Sequence, residues 1–182
     1  MQELKKKLLY DAIFEAEDYE WDNNLLQRVL AKNDMSVEAF SILFQSKLMS
    51  LAEYFLSEID FSIKNIDLKS KPIHIAISQI IVQRFQFMEE YRSASLKILN
   101  YINVPLHSAI VADKIWDLTN ASTGFDYYTR RLTLTYVYYR CLGAYKNSYD
   151  EAVLMLDHQL QNIGQITRWK KKIHIFLNKK QL

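Results

Sequence analysis

The four histidines are the first residues to test for a catalytic or metal-binding role. His74, His107, His158 and His174 are spread over the chain, one to a predicted helix, and no Glu-x-x-His pair of the di-iron bundle type occurs. Because metal ligands must converge at short spacings, we expect no metal site. The motifs G-x-S-x-G and G-x-x-x-x-G-K-[ST], which mark a serine nucleophile and a phosphate loop, are also absent. The chain is therefore predicted not to be an enzyme and to need no cofactor.

Cys141 is the only cysteine, so the chain cannot form an intrachain disulfide. It lies in the run TYVYYRCLGAY, whose apolar character predicts a buried core thiol. An unpaired cysteine is typical of proteins in a reducing compartment, which favours a cytoplasmic location.

A DNA-recognition helix would lie at about 33–46, and the composition of that segment opposes the role. NDMSVEAFSILFQS contains no Lys or Arg, while Asp34 and Glu38 would face phosphates. Only Arg28 and Lys32 lie close to the presumed DNA face. We therefore expect no nucleic-acid partner, and a DNA-binding transcriptional regulator with an apolar ligand pocket is the alternative function.

The segment 122–150 is distinctive because tyrosines recur through it at helical spacing. Tyr128, Leu132, Tyr136 and Tyr139 form one stripe of the predicted helix. The periodicity favours a nearly fully buried central helix whose hydroxyls reach partners at its rim. The other interpretation is the wall of a cavity for a long apolar ligand, with an exposed aromatic end for a partner protein.

The elements that position these residues are predicted to be helices throughout. Only three glycines and two prolines occur in 182 residues, whereas hairpin turns and phosphate loops need several glycines. Hydrophobic residues make up 49% of the chain and can fill a substantial core. No apolar run approaches the length of a membrane span, which is about 18 residues or more. The predicted fold class is all-α.

Breaks in the apolar periodicity divide the chain into about ten predicted helices. Asp22, Ser36 and Ser148 are predicted amino-terminal caps, and Asn33 with Asp34 forms a tight turn. The first three helices resemble a helix-turn-helix unit. Before the basic tail, the helices are placed at about 4–18, 23–32, 37–44, 46–59, 73–88, 89–101, 105–120, 125–142 and 149–163. The chain-breaking residues are predicted at or near helix ends: Pro72, Pro105, Gly124, Gly143 and Gly164.

The tyrosine-rich segment also resembles the carboxyl-terminal signature of Coq9-type ubiquinone biosynthesis proteins, the RpsU-divergently transcribed family. That signature reads approximately D-x-S-x-D-F-x-W-Y-T-x-R, then V-Y, D-x-S and F-L-D-x-R-I. This chain has S-T-G-F-D-Y-Y-T-R-R-L, then V-Y, N-S-Y-D and M-L-D-H-Q-L-Q-N-I. The resemblance covers about 8–166 and is specific from about 113 to 163. Tyr127 stands where the family has tryptophan.

The resemblance implies a TetR-like architecture, with a degenerate helix-turn-helix unit and a helical ligand-binding body that dimerises. It implies an accessory protein that binds an isoprenoid quinone intermediate and presents it to the di-iron demethoxyubiquinone hydroxylase. By matching position, Tyr127 and Tyr128 fall at the family's partner-facing surface. Apolar helical faces supply the candidate lipid-binding residues: Phe85, Met88, Leu99, Trp116, Leu132, Tyr136 and Leu156.

The basic excess of the chain lies in its last residues. The formal net charge is only +2, yet 168–180 contain six basic and no acidic side chains. If this tail is helical, an apolar stripe lies beside the lysines, as in an interfacial helix. A stripe that packs on the body is the alternative, and the family's amphipathic carboxyl-terminal helix favours the membrane. The candidate membrane-binding residues are Trp169, Lys170, Lys171, Lys172, Ile173, Phe176 and Leu177.

Three parts of the chain follow from these patterns. Residues 1–45 are the predicted helix-turn-helix-like unit, 46–167 the lipid-binding and dimerisation body, and 168–182 the basic amphipathic tail. The predicted protein is a homodimer in the cytoplasm, peripheral to the inner (cytoplasmic) membrane.

Overall fold

The computed structural model describes residues 1–63, 66, 71–119 and 125–163, with side chains from residue 128 onwards in the last range. Within these residues all regular secondary structure is helical, which confirms the all-α prediction. The helices are α1 (Gln2–Glu15), α2 (Asn23–Lys32), α3 (Val37–Leu43), α4 (Leu48–Ser62), α5 (Ile73–Glu90), α6 (Arg92–Tyr101), α7 (Val104–Leu118), α8 (Phe125–Tyr145) and α9 (149–163).

The predicted helix caps are confirmed by their hydrogen bonds. The Asp22 carboxylate accepts from the Asn24 amide at 2.8 Å, and the Ser36 hydroxyl accepts from the amide three residues later at 3.2 Å. The Ser148 hydroxyl caps α9 in the same way at 3.1 Å. Each cap satisfies an amide that the first turn of a helix leaves without a partner, so these starts were readable from local sequence.

The turn between α2 and α3 also has the predicted geometry. Asp34 has φ 46°, in the left-handed region that aspartate and asparagine tolerate. The Asn33 side chain donates to the Asp11 carboxylate and to the Val29 carbonyl, both at 2.9 Å. Asn33 therefore closes α2 and holds its end against α1.

Some helix ends differ from the sequence expectation. The helix expected at 46–59 begins at Leu48, after Lys47 with φ 48°, and runs to Ser62. The helix expected from residue 89 begins at Arg92, because α5 continues to Glu90. α8 runs to Tyr145, three residues beyond its expected end at Leu142, so Gly143 lies within its last turn, near a helix end as predicted. Gly124 and Gly164 lie outside the described residues.

The described residues fall into two compact units, and the first contains those of 1–69 and 80–107. In this unit the Trp21 indole donates to the Leu48 carbonyl at 3.3 Å. The Ser93 hydroxyl and the Lys97 ammonium donate to the Ala16 carbonyl at 2.7 and 2.8 Å. The two bonds to Ala16 satisfy a carbonyl at the carboxyl-terminal end of α1, where carbonyls lack partners within the helix.

The second unit contains the described residues of 70–79 and 108–182. Its core consists of apolar side chains from α7, α8 and α9, all buried: Val111, Ile115, Leu134, Val137, Tyr138, Leu142, Ala152 and Leu156. The functional division into 1–45, 46–167 and 168–182 stays a prediction.

Candidate lipid and partner surface

A stripe of large side chains runs along the solvent-facing side of α8. Tyr128 and Leu132 are each 71% exposed, Tyr136 is 55% exposed and Tyr139 is 45% exposed. Their spacing of four, four and three residues places them on one face over about 17 Å, at 1.5 Å rise per residue. We call these four residues the α8 stripe. The expectation that this stripe is buried is wrong.

The opposite side of α8 forms the part of the helix that packs into the core. Leu134, Val137, Tyr138, Cys141 and Leu142 are buried there. α8 thus has two apolar faces, and the tyrosine periodicity fits both. Only packing against other helices decides which face is covered.

The buried position predicted for Cys141 is confirmed. Burial raises the pKa of its thiol from the ordinary 9.0 to about 12, and the charge of neighbouring Arg140 opposes this only in part. The thiol is therefore protonated at neutral pH, and a protonated thiol is a poor nucleophile and a poor metal ligand.

Arg131 joins α7 to α8 within the second unit. Its guanidinium contacts the Asp113 carboxylate at 2.8 Å and the Asp117 carboxylate at 3.2 Å. The two aspartates lie four residues apart and so project from one side of α7. Arg131 stands at the arginine that closes Y-T-x-R in the family signature. Its role was not predicted from the sequence, although Asp113 and Asp117 at helical spacing were a signal for it.

The seven predicted lipid-binding residues do not share one environment. Leu132 and Tyr136 lie on the α8 stripe, whereas the other five are buried. Three of the buried residues belong to the first unit (Phe85, Met88 and Leu99) and two to the second (Trp116 and Leu156). Their lipid-binding role stays a prediction.

Trp116 differs from the other buried candidates by carrying a polar atom. Its indole N–H is buried and has no acceptor among the residues that the structure describes. Leaving such a donor unpaired costs about 1–3 kcal/mol. A ligand oxygen would be a suitable acceptor.

The remaining predicted site residues are described only in part. Tyr128 is exposed, as a partner-binding residue must be, but the side chain of Tyr127 is not described. The predicted membrane-binding residues, Trp169 to Lys172 with Ile173, Phe176 and Leu177, lie outside the described residues.

The basic residues near the presumed DNA face of α2 are engaged with acidic ones. The Arg28 guanidinium contacts the Glu15 carboxylate at 2.7 Å, and the Lys32 ammonium contacts the Asp11 carboxylate at 2.9 Å. Arg28 also lies over the Tyr19 ring, 4.0 Å from its centroid. These pairs direct the two cations toward α1 and the turn that follows it.

Two further properties concern only the described part of the chain. There, no three His, Cys, Asp or Glu side chains come together in a way that would bind a metal ion. None of the helices described combines the length and apolar character required to cross a bilayer.

Comparison with known proteins gives one match. The sequence model of the COQ9 family matches residues 106–166, about a third of the chain, which includes most of α7 and all of α8 and α9. No curated protein and no solved structure matches significantly. The resemblance expected from the sequence is thereby confirmed: residues 106–166 match the COQ9 family model, and this family is associated with ubiquinone biosynthesis.

Proposed function

We propose that this protein is a non-enzymatic lipid-binding accessory protein of ubiquinone biosynthesis. It binds an isoprenoid quinone intermediate and presents it to the di-iron demethoxyubiquinone hydroxylase. It works as a homodimer, peripheral to the cytoplasmic membrane. The observation that supports this proposal most directly is the α8 stripe, because it lies inside the COQ9-family match.

The chemistry of the α8 stripe suits contact with apolar or amphipathic groups. Its three tyrosines offer ring surface together with hydroxyls that stay hydrated at the rim of a contact. Covering each large side chain fully would contribute about 1.5–3 kcal/mol. A contact over the whole stripe could thus supply several kcal/mol before the entropy cost of association. The stripe therefore supports binding of a lipid tail or of the partner enzyme.

Trp116 supplies a polar counterpart in the same family-matched region. A quinone or phenol oxygen of an isoprenoid head group could accept the hydrogen bond that its indole N–H offers. Replacing Trp116 with Phe keeps a buried ring and removes this donor. We expect Trp116→Phe to lose preference for lipids with an oxygenated head group while it keeps binding to the isoprenoid chain.

The tail supports a location at a membrane surface. Each lysine or arginine near an anionic membrane contributes about 1 kcal/mol, so the six basic residues of 168–180 could contribute several kcal/mol. The apolar residues predicted beside them would add to this. We expect deletion of 168–182 to abolish binding to anionic vesicles and to leave the circular dichroism of the body unchanged. Vesicle binding that survives the deletion would contradict the membrane role of the tail.

The test of lipid binding is extraction and native mass spectrometry of the purified full-length chain. We expect a co-purified isoprenoid lipid in the wild type and its loss in the Leu132→Asp, Tyr136→Asp double variant. Thr129→Asp and Arg140→Gln together form the matched control, since both residues are exposed on α8 outside the stripe and the net charge changes by the same two units. A wild type that carries no lipid and binds no added isoprenoid quinone would overturn the proposal.

The alternative is the TetR-like transcriptional regulator with an apolar ligand pocket. The exposed side chains of α3 are Glu38, Ala39 and Ile42, which offer nothing to phosphates. A salt-sensitive, sequence-selective shift of DNA by the purified protein would favour this alternative over the accessory role.

A further inference from the structure

Two leucines of the second unit are exposed to nearly the same degree, but their surroundings carry opposite charge. Leu132 on α8 is 71% exposed and Leu154 on α9 is 75% exposed. The segment 127–149, which contains Leu132, has four basic residues and no acidic one. Around Leu154, in contrast, three exposed side chains are acidic: Asp150, Glu151 and Asp157. Of the two, only Leu132 therefore lies in a surface suited to an anionic partner.

The basic residues of this segment lie beside the α8 stripe and toward its ends. Arg140 is exposed and follows Tyr136 by four residues, so the two share one side of the helix. Arg130 and Lys146 are exposed toward the two ends of α8. On the other flank, Arg131 contacts two carboxylates of α7. The cationic edge of the stripe is therefore the one that carries Arg140.

The two rims of the stripe carry threonines whose hydroxyl protons are bonded within the helix. The Thr133 hydroxyl donates to the Thr129 carbonyl, and the Thr135 hydroxyl donates to the Arg131 carbonyl, both at 2.8 Å. On a helical wheel Thr133 and Thr135 fall on opposite sides of the stripe. A hydroxyl proton bonded in this way loses no water partner when the helix surface enters an apolar medium. The rims of the stripe can thus be dehydrated at little cost.

We propose that the α8 stripe is the face of the folded body that lies in the headgroup region of an anionic bilayer. The occupant of this face is thus the lipid surface. Tyrosine suits this depth, because its ring contacts acyl chains while its hydroxyl stays among the headgroups. Arg140, at the cationic edge, would meet lipid phosphates. Leu132 would enter the apolar layer below them.

The proposal rests on the proposed function for the attachment of the chain to a membrane, and it adds which face is turned toward the lipid. One short stripe is too small an anchor by itself, since stable attachment takes two signals. The placement also gives the ligand a direct route. A long isoprenoid chain stays in the bilayer because its transfer to water is costly. The stripe and Trp116, the proposed head-group donor, belong to the same unit.

The two exposed leucines allow a matched test of depth in the full-length chain. A nitrobenzoxadiazole label is attached to Leu132→Cys or to Leu154→Cys, and vesicles of equal parts phosphatidylglycerol and phosphatidylethanolamine are added. Cys141 is buried and does not take the label. We expect the emission at position 132 to shift to the blue and to be quenched by nitroxide-bearing lipid, because the label enters the apolar layer. The label at position 154 should stay in water, since the acidic residues around it are repelled by the vesicle.

A contribution of Leu132 to affinity is measured without any label. Leu132→Ser and Leu154→Ser each remove one exposed leucine, leave the net charge unchanged and lie in the same unit. In co-sedimentation with the same vesicles we expect Leu132→Ser to bind several-fold more weakly than the wild type. Leu154→Ser should bind as the wild type does. Circular dichroism of both variants should match the wild type, since neither leucine is buried.

The outcomes separate this proposal from the proposed function. If the wild type sediments with vesicles while the label at position 132 stays in water, the stripe does not face lipid and a protein partner is its occupant. That result, or equal binding by the two serine variants, would overturn this proposal and leave the membrane attachment standing. A wild type that does not sediment with vesicles would overturn both the attachment and this proposal. Lipid extraction still decides whether the chain binds an isoprenoid.

Discussion

The exposed surfaces of the three amino-terminal helices and of the α7–α9 region differ in how far their side chains are paired or covered. In the first region, basic side chains form ion pairs with acidic neighbours, as Arg28 does with Glu15. In the second, Tyr136 and Leu132 are exposed on α8. A surface that balances its own charges offers little to a polyanion. An exposed apolar stripe gains free energy when a ligand or a partner covers it.

The largest loss of stability is expected from replacing Arg84, which forms an ion pair inside the first unit. It is fully buried on α5 and pairs with the Asp60 carboxylate of α4. Removing one partner of a buried ion pair leaves an uncompensated charge, so we expect Arg84→Ala to lower the free energy of unfolding by about 3–5 kcal/mol. Urea denaturation followed by circular dichroism measures the loss. A loss below about 1 kcal/mol, on the scale of an exposed pair, would show that the pair does not hold α4 to α5.

The titration of Cys141 shows whether water is excluded from the buried face of α8. The unfolded thiol ionises around its ordinary pKa of 9.0, whereas the folded thiol stays protonated to about 12. The unfolded state therefore binds fewer protons above pH 9, and stability falls as pH rises through this window. We expect the wild type to lose about 1 kcal/mol more than Cys141→Ala between pH 9 and pH 10, because the unfolded thiol is already half ionised at pH 9. Because tyrosines titrate in both proteins, the difference between their slopes is the measurement. Identical slopes would contradict the burial.

Arg131 tests the contact between α7 and α8. Both of its aspartate partners are largely exposed, so solvent screens the attraction and we expect Arg131→Ala to cost about 1 kcal/mol or less. The cost should shrink at 1 M salt, where the Debye length is about 3 Å. Arg140→Ala on the exposed side of the same helix is the control. A salt-independent loss would mean that packing of the Arg131 stem, and not its charge, joins the helices.

Gly143 gives the smallest expected effect and has the opposite sign. It lies inside α8, is exposed, and a methyl group added there would meet no atom within 4 Å beyond the local helix backbone and the two neighbouring residues. We therefore expect Gly143→Ala to raise the free energy of unfolding by about 0.5–1 kcal/mol. Gly143 follows Tyr139 by one helical turn, so lipid extraction should be repeated on this variant. Gained stability with lost lipid would extend the α8 stripe to this position.

The helices and their starts could be predicted because their causes are local. Asp22, Ser36 and Ser148 cap the helices they were expected to cap, since a short polar side chain before an apolar-periodic run satisfies free amides wherever the run packs. The end of α8, expected at Leu142, was misplaced because a local signal, the glycine at position 143, was weaker than the packing around it. A glycine weakens a helix by only about 1 kcal/mol, and neighbours such as Leu142 and Tyr145, both buried, stabilise the final turn.

The candidate site was less accessible to sequence reasoning. Tyr128 was expected on an exposed surface from the family signature, and it is exposed. Leu132 and Tyr136 were grouped with core residues such as Leu156 because all of them are apolar at helical spacing. The structure separates them, since periodicity identifies a face but does not state what covers it.

The sequence by itself determined the all-helical class, the caps, the buried thiol and the concentration of positive charge in the tail. These properties depend on backbone propensities, local hydrogen bonds and composition, which do not require knowledge of distant contacts. Only the tertiary structure decided which of the two apolar faces of α8 is exposed and that Arg131 contacts Asp113. Burial and ion pairing are properties of neighbours brought together by folding, and one helix read alone does not contain them.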